Sequence, residues 1–262
     1  MITNVLTISL SDSVGWFGIQ ADVKTFTALG AYSTSVVTAI TAHETDLYTA
    51  LSNDIVISQL EAVLATTPIK YCKVGWLGNE ILAQQVGELL SEQHQLKWVF
   101  APGFGLLNNK HGLAAEKVRS NVFNLMKKAD ITCLNCEEAI WLAEYQYPSN
   151  FHEMKQLAWQ LMKNGNGQLL ITGGNWSDEF VIDCYATRDS CVELAAKRDD
   201  TPVVGAGCSL AAALVVYLSK ASSPLEAIRS AKSWVTRAIH HSNELKFDTS
   251  KGSINHLFGI PA

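Results

Sequence analysis

Two glycines and a cysteine open an apolar helix in the stretch VVGAGCSLAAAL, Val203 to Leu214, and make the clearest place in this chain for chemistry on an anion. Gly205 and Gly207 let a ligand approach the backbone, and the helix that follows aims unpaired N–H groups and its positive dipole end at whatever lies there. Cys208 stands in the first turn, where that field is expected to favour thiolate over thiol. Its sulfur is then placed to accept a proton or to orient a reacting hydroxyl. A small residue packing a tight turn is the plainer reading of the same cysteine. The phosphate-loop pattern GxxxxGK[ST] occurs nowhere in the chain.

A second constellation is Asn135-x-x-Glu138, a spacing that puts both side chains on one face of a helix's first turn. An N-cap followed by an exposed acid explains the same four residues. The third is SDSVGWFGIQADVKTFTALGAYS, Ser11 to Ser33, a small-residue loop feeding a helix, in which Trp16 and Phe17 stand where a ligand-holding loop wants nothing bulky. Cys133 and Cys136 form a CxxC without the two further ligands that a zinc site needs, so they read as structural thiols.

These residues need a scaffold that brings strand-to-helix turns to one edge. Apolar β-rich runs alternate with amphipathic segments along nearly the whole chain, which predicts an α/β fold with a mostly parallel central sheet and helices on both faces, as one domain over residues 1–262. NVLTISL reads as the first buried strand. GIQADVKTFTALG reads as a helix with Ile19, Val23, Phe26 and Leu29 on one face, and YSTSVVTAIT as the next strand. The strands IKYCKVGWLG, LKWVFAP, DITCLN and GQLLITGG follow. Between and around them lie helices over DIVISQLEAVLATT, NEILAQQVGELLSEQ, HGLAAEKVRSNVFNLMKKA, CEEAIWLAEY and FHEMKQLAWQLMKNG. DEFVIDCYATRDSCVELAAKR breaks the alternation, and its two short runs around a polar TRDS predict an antiparallel hairpin at the sheet's edge. Two helices, GAGCSLAAALVVYLSKA and SPLEAIRSAKSWVTRAIHHSNE, close the pattern. In open α/β sheets ligands bind beyond the carboxyl ends of the strands, so the turns entering these helices hold the expected site.

Composition narrows the partners. The net charge of −5 and 20 scattered Lys and Arg residues give no basic footprint for nucleic acid. No apolar run reaches the roughly 18 to 20 residues of a membrane span. The start, MITNVLTISLSDS, lacks a basic segment and a cleavage site, so the expected location is cytoplasmic. Six cysteines spread thinly through 262 residues read as reduced thiols.

The chain resembles the hydroxymethylpyrimidine and phosphomethylpyrimidine kinases of the ribokinase-like superfamily. GIQADVKTFTALGAYSTSVVTAITA matches their N-terminal signature nearly residue for residue, and KVGWLG, LNCEEA, ITGG, GAGCS and SINHLF follow in order across the chain. The resemblance implies a three-layer sandwich that transfers a phosphoryl group from ATP, with Mg²⁺, to the hydroxymethyl oxygen of a pyrimidine or to its monophosphate, in thiamine biosynthesis. Carried over by position, Gly205, Ala206, Gly207 and Cys208 form the anion hole, with Cys208 near the attacking oxygen. Asn135 and Glu138 hold a magnesium-bound water, and Thr172 and Gly174 lie on the nucleotide side. Asp12, Phe17, Asp22, His43 and Trp76 fall on the substrate side. Asp22, with Gln20 in the same helix, points to the pyrimidine in this reading and is a solvated helix residue in the alternative. His43 stands where relatives carry a polar residue that reads the pyrimidine edge. No direct metal ligand is assignable. Pairing of two copies through a sheet edge is also implied.

Departures from the pattern fall on active positions. The loop DSVGWFG keeps Asp12, Gly15 and Gly18 but has Trp16 and Phe17 in place of small residues. Ala101 stands at an aspartate position and Thr172 at a lysine position, while Val204 and Ala206 replace a histidine and a threonine. Losing one carboxylate and one lysine is expected to weaken metal and ATP binding, each charge-assisted contact being worth roughly 1.5 to 3 kcal/mol. Two alternatives stay open beside the pyrimidine kinase. One is a pyridoxal-type kinase, and the other is a paralogue that keeps the fold to bind a pyrimidine-like or nucleotide ligand without phosphoryl transfer, its aromatics plugging the old site.

Overall fold

Residues 5–10 are all buried, on both faces of the strand, as the middle of a covered sheet requires, with the polar Thr7 and Ser9 among them. They belong to β1 (Asn4–Asp12), the third strand of a nine-stranded sheet. The computed structural model describes residues 2–42, 47–103, 115–163, 165, 167–174, 176–177, 179–247 and 250–260. The sheet is ordered β3-β2-β1-β4-β5-β6-β7-β8-β9. Its members are β2 (Tyr32–Thr41), β3 (Tyr48–Ala50), β4 (Tyr71–Val74), β5 (Lys97–Phe100), β6 (Ile131–Asn135), β7 (Gln168–Gly174), β8 (Phe180–Ala186) and β9 (Cys191–Lys197).

From β2 to β7 neighbours run parallel. At the edges β3 pairs antiparallel with β2, and β8 and β9 form the antiparallel hairpin expected from DEFVIDCYATRDSCVELAAKR. The three-residue β3 was not expected, because so short a strand carries no periodicity to read.

Helices cover both faces. Leu6, Ile8 and Val74 face α2 (Asn53–Thr66), α3 (Glu80–Ser91), α4 (Ala115–Met126), α5 (Cys136–Ala143) and α6 (Phe151–Met162). Val5, Val99 and Ile131 face α1 (Gly18–Ala28), α7 (Ala206–Leu218) and α8 (Pro224–His240). In α8 the buried residues Ala227, Ile228, Ala231, Trp234, Val235 and Ala238 recur at one-, three- and four-residue steps, a single stripe against the core. In α7 every residue from Ser209 to Val216 is buried, so the body of the helix is packed into the core. The expected helix over HGLAAEKVRSNVFNLMKKA is α4; residues 111–114 of it lie outside the described residues. Among the described residues no helix is long and apolar enough to cross a membrane.

The chain leaves β1 for β2 on one side and returns to β4 on the other. The carboxyl ends of β1 and β4 therefore flank a topological switch point, the crevice where open α/β sheets hold ligands.

Candidate active site

A short parallel pair, β10 (Val203–Val204) with β11 (Gly252–Ser253), delivers the chain to the start of α7. Gly205 is the N-cap, with φ at +84°, and a Cβ there would sit 1.7 Å from the carbonyl oxygen of Trp16. Only glycine meets both demands, left-handed backbone and close approach of another chain segment. The glycine that opens α7 thus also docks the aromatic loop onto the turn.

Gly205, Gly207 and Cys208 line a cavity of about 120 Å³ together with Ala101, Cys133, Asn135, Glu138 and Thr172. The fold brings the glycine turn into α7 and the N-x-x-E pair together from the ends of different elements. Asn135 Oδ1 accepts the Glu138 N–H at 2.7 Å, and Glu138 Oε2 accepts the Asn135 N–H at 3.1 Å. This reciprocal cap ends β6 and starts α5 while turning the nearly buried carboxylate of Glu138 to the cavity wall. The N-cap of the plainer reading is present, but the acid it takes as exposed is buried. Ala101 and Thr172, where a carboxylate and a lysine were expected, are both on that wall, so the lost charges are lost from the cavity itself.

Cys208 is half-buried, and here the expected thiolate is not found. Burial pushes its thiol above the ordinary value; the positive charge of Lys73 pulls down, Asp22 pushes up, and the Gly18 N–H directed at the sulfur pulls down again. Desolvation outweighs the field of the helix terminus because the thiol packs against apolar neighbours. Ala206, the first helical residue, packs into the α7 side of the core and is not on the cavity wall.

Asp22 is neither solvated nor directed to an open pocket. It is fully buried, and Lys73 Nζ donates to both of its carboxylate oxygens, at 2.6 and 2.7 Å. Thr7 Oγ1 donates to Asp22 at 2.6 Å. Lys73, a central-strand residue opposite Thr7, was missed by sequence reasoning; the available signal was a lysine inside the apolar run YCKV, which must find a buried partner.

Asp12 turns back on its own loop. It is buried and accepts the backbone N–H of Trp16 at 2.9 Å and of Val14 at 3.4 Å, so it shapes the loop from within. Gln20 accepts the Asp12 N–H at 2.9 Å and donates to Ser11 at 2.6 Å. Gly174 is likewise off the cavity wall, since a Cβ there would lie 2.6 Å from the Ile182 carbonyl oxygen and 2.5 Å from the Trp176 ring. Its neighbour Gly173, at φ +83°, donates its N–H to Asp183, which Lys232 holds at 2.5 Å.

Trp16, Phe17 and Trp76 are all buried and cluster with Leu10 and Ala39; Tyr48, Val204 and Cys208 pack against them. The aromatics therefore fill space directly beside the Cys208 thiol. Trp16 meets the edge of Phe247 at 5.4 Å, and Trp76 Nε1 donates to Tyr48 at 2.9 Å. Trp76 also borders a separate, mostly apolar hollow of about 420 Å³ between α3 and α4, lined by Leu77, Asn79, Phe100, Val118 and Leu125. His43 lies outside the described residues. Among the described residues no cluster of three or more His, Cys, Asp or Glu side chains is arranged to hold a metal ion.

A family model described as phosphomethylpyrimidine kinase matches residues 12–255. Over 261 residues, 98% of each chain, the protein is 31% identical to a hydroxymethylpyrimidine/phosphomethylpyrimidine kinase of Rhizobium meliloti. Among solved structures it is similar to the pyridoxal kinase of Staphylococcus aureus in complex with AMP-PCP and pyridoxal, with TM-score 0.85 and 28% identity over 98% of this chain and 94% of that one. It is also similar to a phosphomethylpyrimidine kinase from Clostridium difficile, with TM-score 0.73 and 28% identity over 90% of this chain and all of the other.

Proposed function

The chain belongs to the phosphomethylpyrimidine kinase family, and on that premise we propose that it transfers a phosphoryl group from ATP to the hydroxymethyl oxygen of a pyrimidine, to its monophosphate, or to both. The observation that carries this reading is the convergence of Gly205, Gly207, Cys208, Asn135 and Glu138 on one small cavity beyond the strand ends. Phosphoryl transfer asks a protein mainly for positioning and for donors aimed at developing charge. The start of α7 offers backbone N–H groups in a fixed array, and α7 itself cannot shift without disrupting a buried helix.

In this reading Cys208 rests as a thiol and orients the substrate hydroxyl. In a loose transition state the hydroxyl keeps its proton until late, so a standing thiolate is not needed at the outset. Asn135 and Glu138 suit a water-bridged Mg²⁺ that arrives with ATP. Magnesium keeps several waters and needs one or two carboxylates besides substrate phosphates, and Glu138 is one. When bound, the ion neutralises polyphosphate charge; the chain's own part is to hold Glu138 in place through the Asn135 cap.

A second reading, a pyridoxal-type kinase, is favoured by the higher TM-score to the pyridoxal kinase fold, 0.85 against 0.73. The deciding experiment is a coupled assay with Mg-ATP and, in separate arms, hydroxymethylpyrimidine, its monophosphate and pyridoxal. Turnover of either pyrimidine is the expected result. Turnover of pyridoxal alone replaces the first reading with the second, and nucleotide binding without turnover of any of the three leaves a binding paralogue.

A further inference from the structure

Away from the cavity, the hairpin β8–β9 sets two thiols in contact. Cys184 Sγ and Cys191 Sγ lie 2.9 Å apart. The register explains how: Cys191 is opposite Ala186, and Cys184 opposite Glu193, so the two cysteines are diagonal neighbours on one face of the hairpin, under α6. Ordinary apolar packing does not account for this pair by itself, because sulfurs in mere van der Waals contact stand farther apart. A disulfide bond is about 2.05 Å long, so closure needs less than about 1 Å of movement.

The two sulfurs differ in a useful way. Cys184 is buried, whereas Cys191 is half-exposed at the start of β9, the last strand of the sheet. Lys155 on α6 places positive charge near both. We propose that Cys184 and Cys191 form a reversible dithiol–disulfide site, oxidised by hydrogen peroxide. Cys191 attacks one peroxide oxygen, the O–O bond breaks, and a sulfenic acid and water result. Cys184 then attacks the Cys191 sulfur, the S–O bond breaks, and the sulfenic oxygen leaves with a proton as a second water. The sum is two thiols plus one peroxide to one disulfide plus two waters. The hydrogen bond from Cys184 holds the Cys191 thiol below its ordinary value against the effect of burial, with Lys155 helping, which fits its part as first nucleophile.

The test uses the full reduced chain. It is treated with stoichiometric hydrogen peroxide, alkylated without reduction, cleaved by protease and mapped by mass. The expected product is a bridge joining Cys184 to Cys191, two hydrogens lighter than the dithiol, restored to it by dithiothreitol and absent from Cys191→Ser. In that variant Cys184 stays alkylatable. The proposal is overturned if both cysteines remain alkylatable after the stoichiometric treatment, or if the bridge that forms joins either of them to a different cysteine. Because the wild-type map decides the matter, the outcome does not depend on how well the variant folds, and it is independent of which kinase substrate is used.

Discussion

Lys73 Nζ sits 2.6 Å from one carboxylate oxygen of Asp22 and 2.7 Å from the other, in the core between β4 and α1, with both residues fully buried. Burial opposes the charge on Lys73, but the Asp22 carboxylate, joined by the Cys208 and Cys133 sulfurs, holds the ammonium above the ordinary lysine value. This pair lies close enough to Cys208 for both charges to act on its thiol, Lys73 pulling its value down and Asp22 pushing it up.

A buried pair broken from one side leaves an uncompensated charge. Lys73→Met is therefore expected to cost about 3 to 5 kcal/mol in urea unfolding, while Lys73→Met with Asp22→Leu recovers most of that loss. A double variant no more stable than the single would show that the pair's cost lies in packing and not in charge.

For Cys208, the raised thiol value sets the sign of the pH dependence. Any rate increase that tracks its ionisation belongs above the ordinary thiol value of 9.0, so turnover measured from pH 6 to 10 should show no thiol limb through the neutral range. Cys208→Ala should retain the native circular dichroism spectrum and lower turnover by about 10²-fold or more, the scale of a positioned proton-handling group. A limb centred near pH 7 that disappears in Cys208→Ala would contradict the buried-thiol picture.

Thr172 stands on the cavity wall where a lysine was expected. Thr172→Lys should strengthen ATP binding, with one added charge-assisted contact of about 1.5 kcal/mol corresponding to roughly tenfold in KM for ATP. Isothermal titration with a non-hydrolysable ATP analogue gives an independent check, and unchanged affinity would place the phosphates elsewhere.

His256, in the SINHLF tail, is buried with its Nε2 3.0 Å from Ser209 Oγ in the first turns of α7. Burial, aided by Lys24 and opposed by a backbone bond at Ile254, lowers its pKa from 6.5 to about 4. The folded value is below the unfolded one, so the unfolded chain binds the extra proton first. The contribution is whole above pH 6.5 and is lost as pH falls toward 4, at up to about 1.4 kcal/mol per pH unit. Urea unfolding at pH 7 and pH 5 should show a smaller difference in His256→Gln than in the unaltered protein.

Much of the fold was legible in the residues alone. Alternating apolar runs and amphipathic segments are local signals, and β2 occupies the whole of YSTSVVTAIT as read. The glycine turn into α7 was legible for the same reason, since GAGCS at a helix start carries its geometry in its own backbone. Ala101 and Thr172 were legible as departures because each is a single position in a strand-end motif.

What the residues in order do not state is which side chains meet. Asp22 and Lys73 are 51 positions apart, and only the pairing of β1 with β4 under α1 makes one the partner of the other. The direction of the Cys208 shift was decided the same way: a helix terminus argues for thiolate, and the apolar neighbours that desolvate the sulfur come from Leu10, Trp16, Phe17 and Trp76 on other elements. Types and spacings determined the elements and the chemistry available at their ends. Burial, a property of the assembled molecule, decided which charges survive and that Trp16 and Phe17 turn inward beside the thiol, because desolvation depends on every neighbour and not on sequence distance.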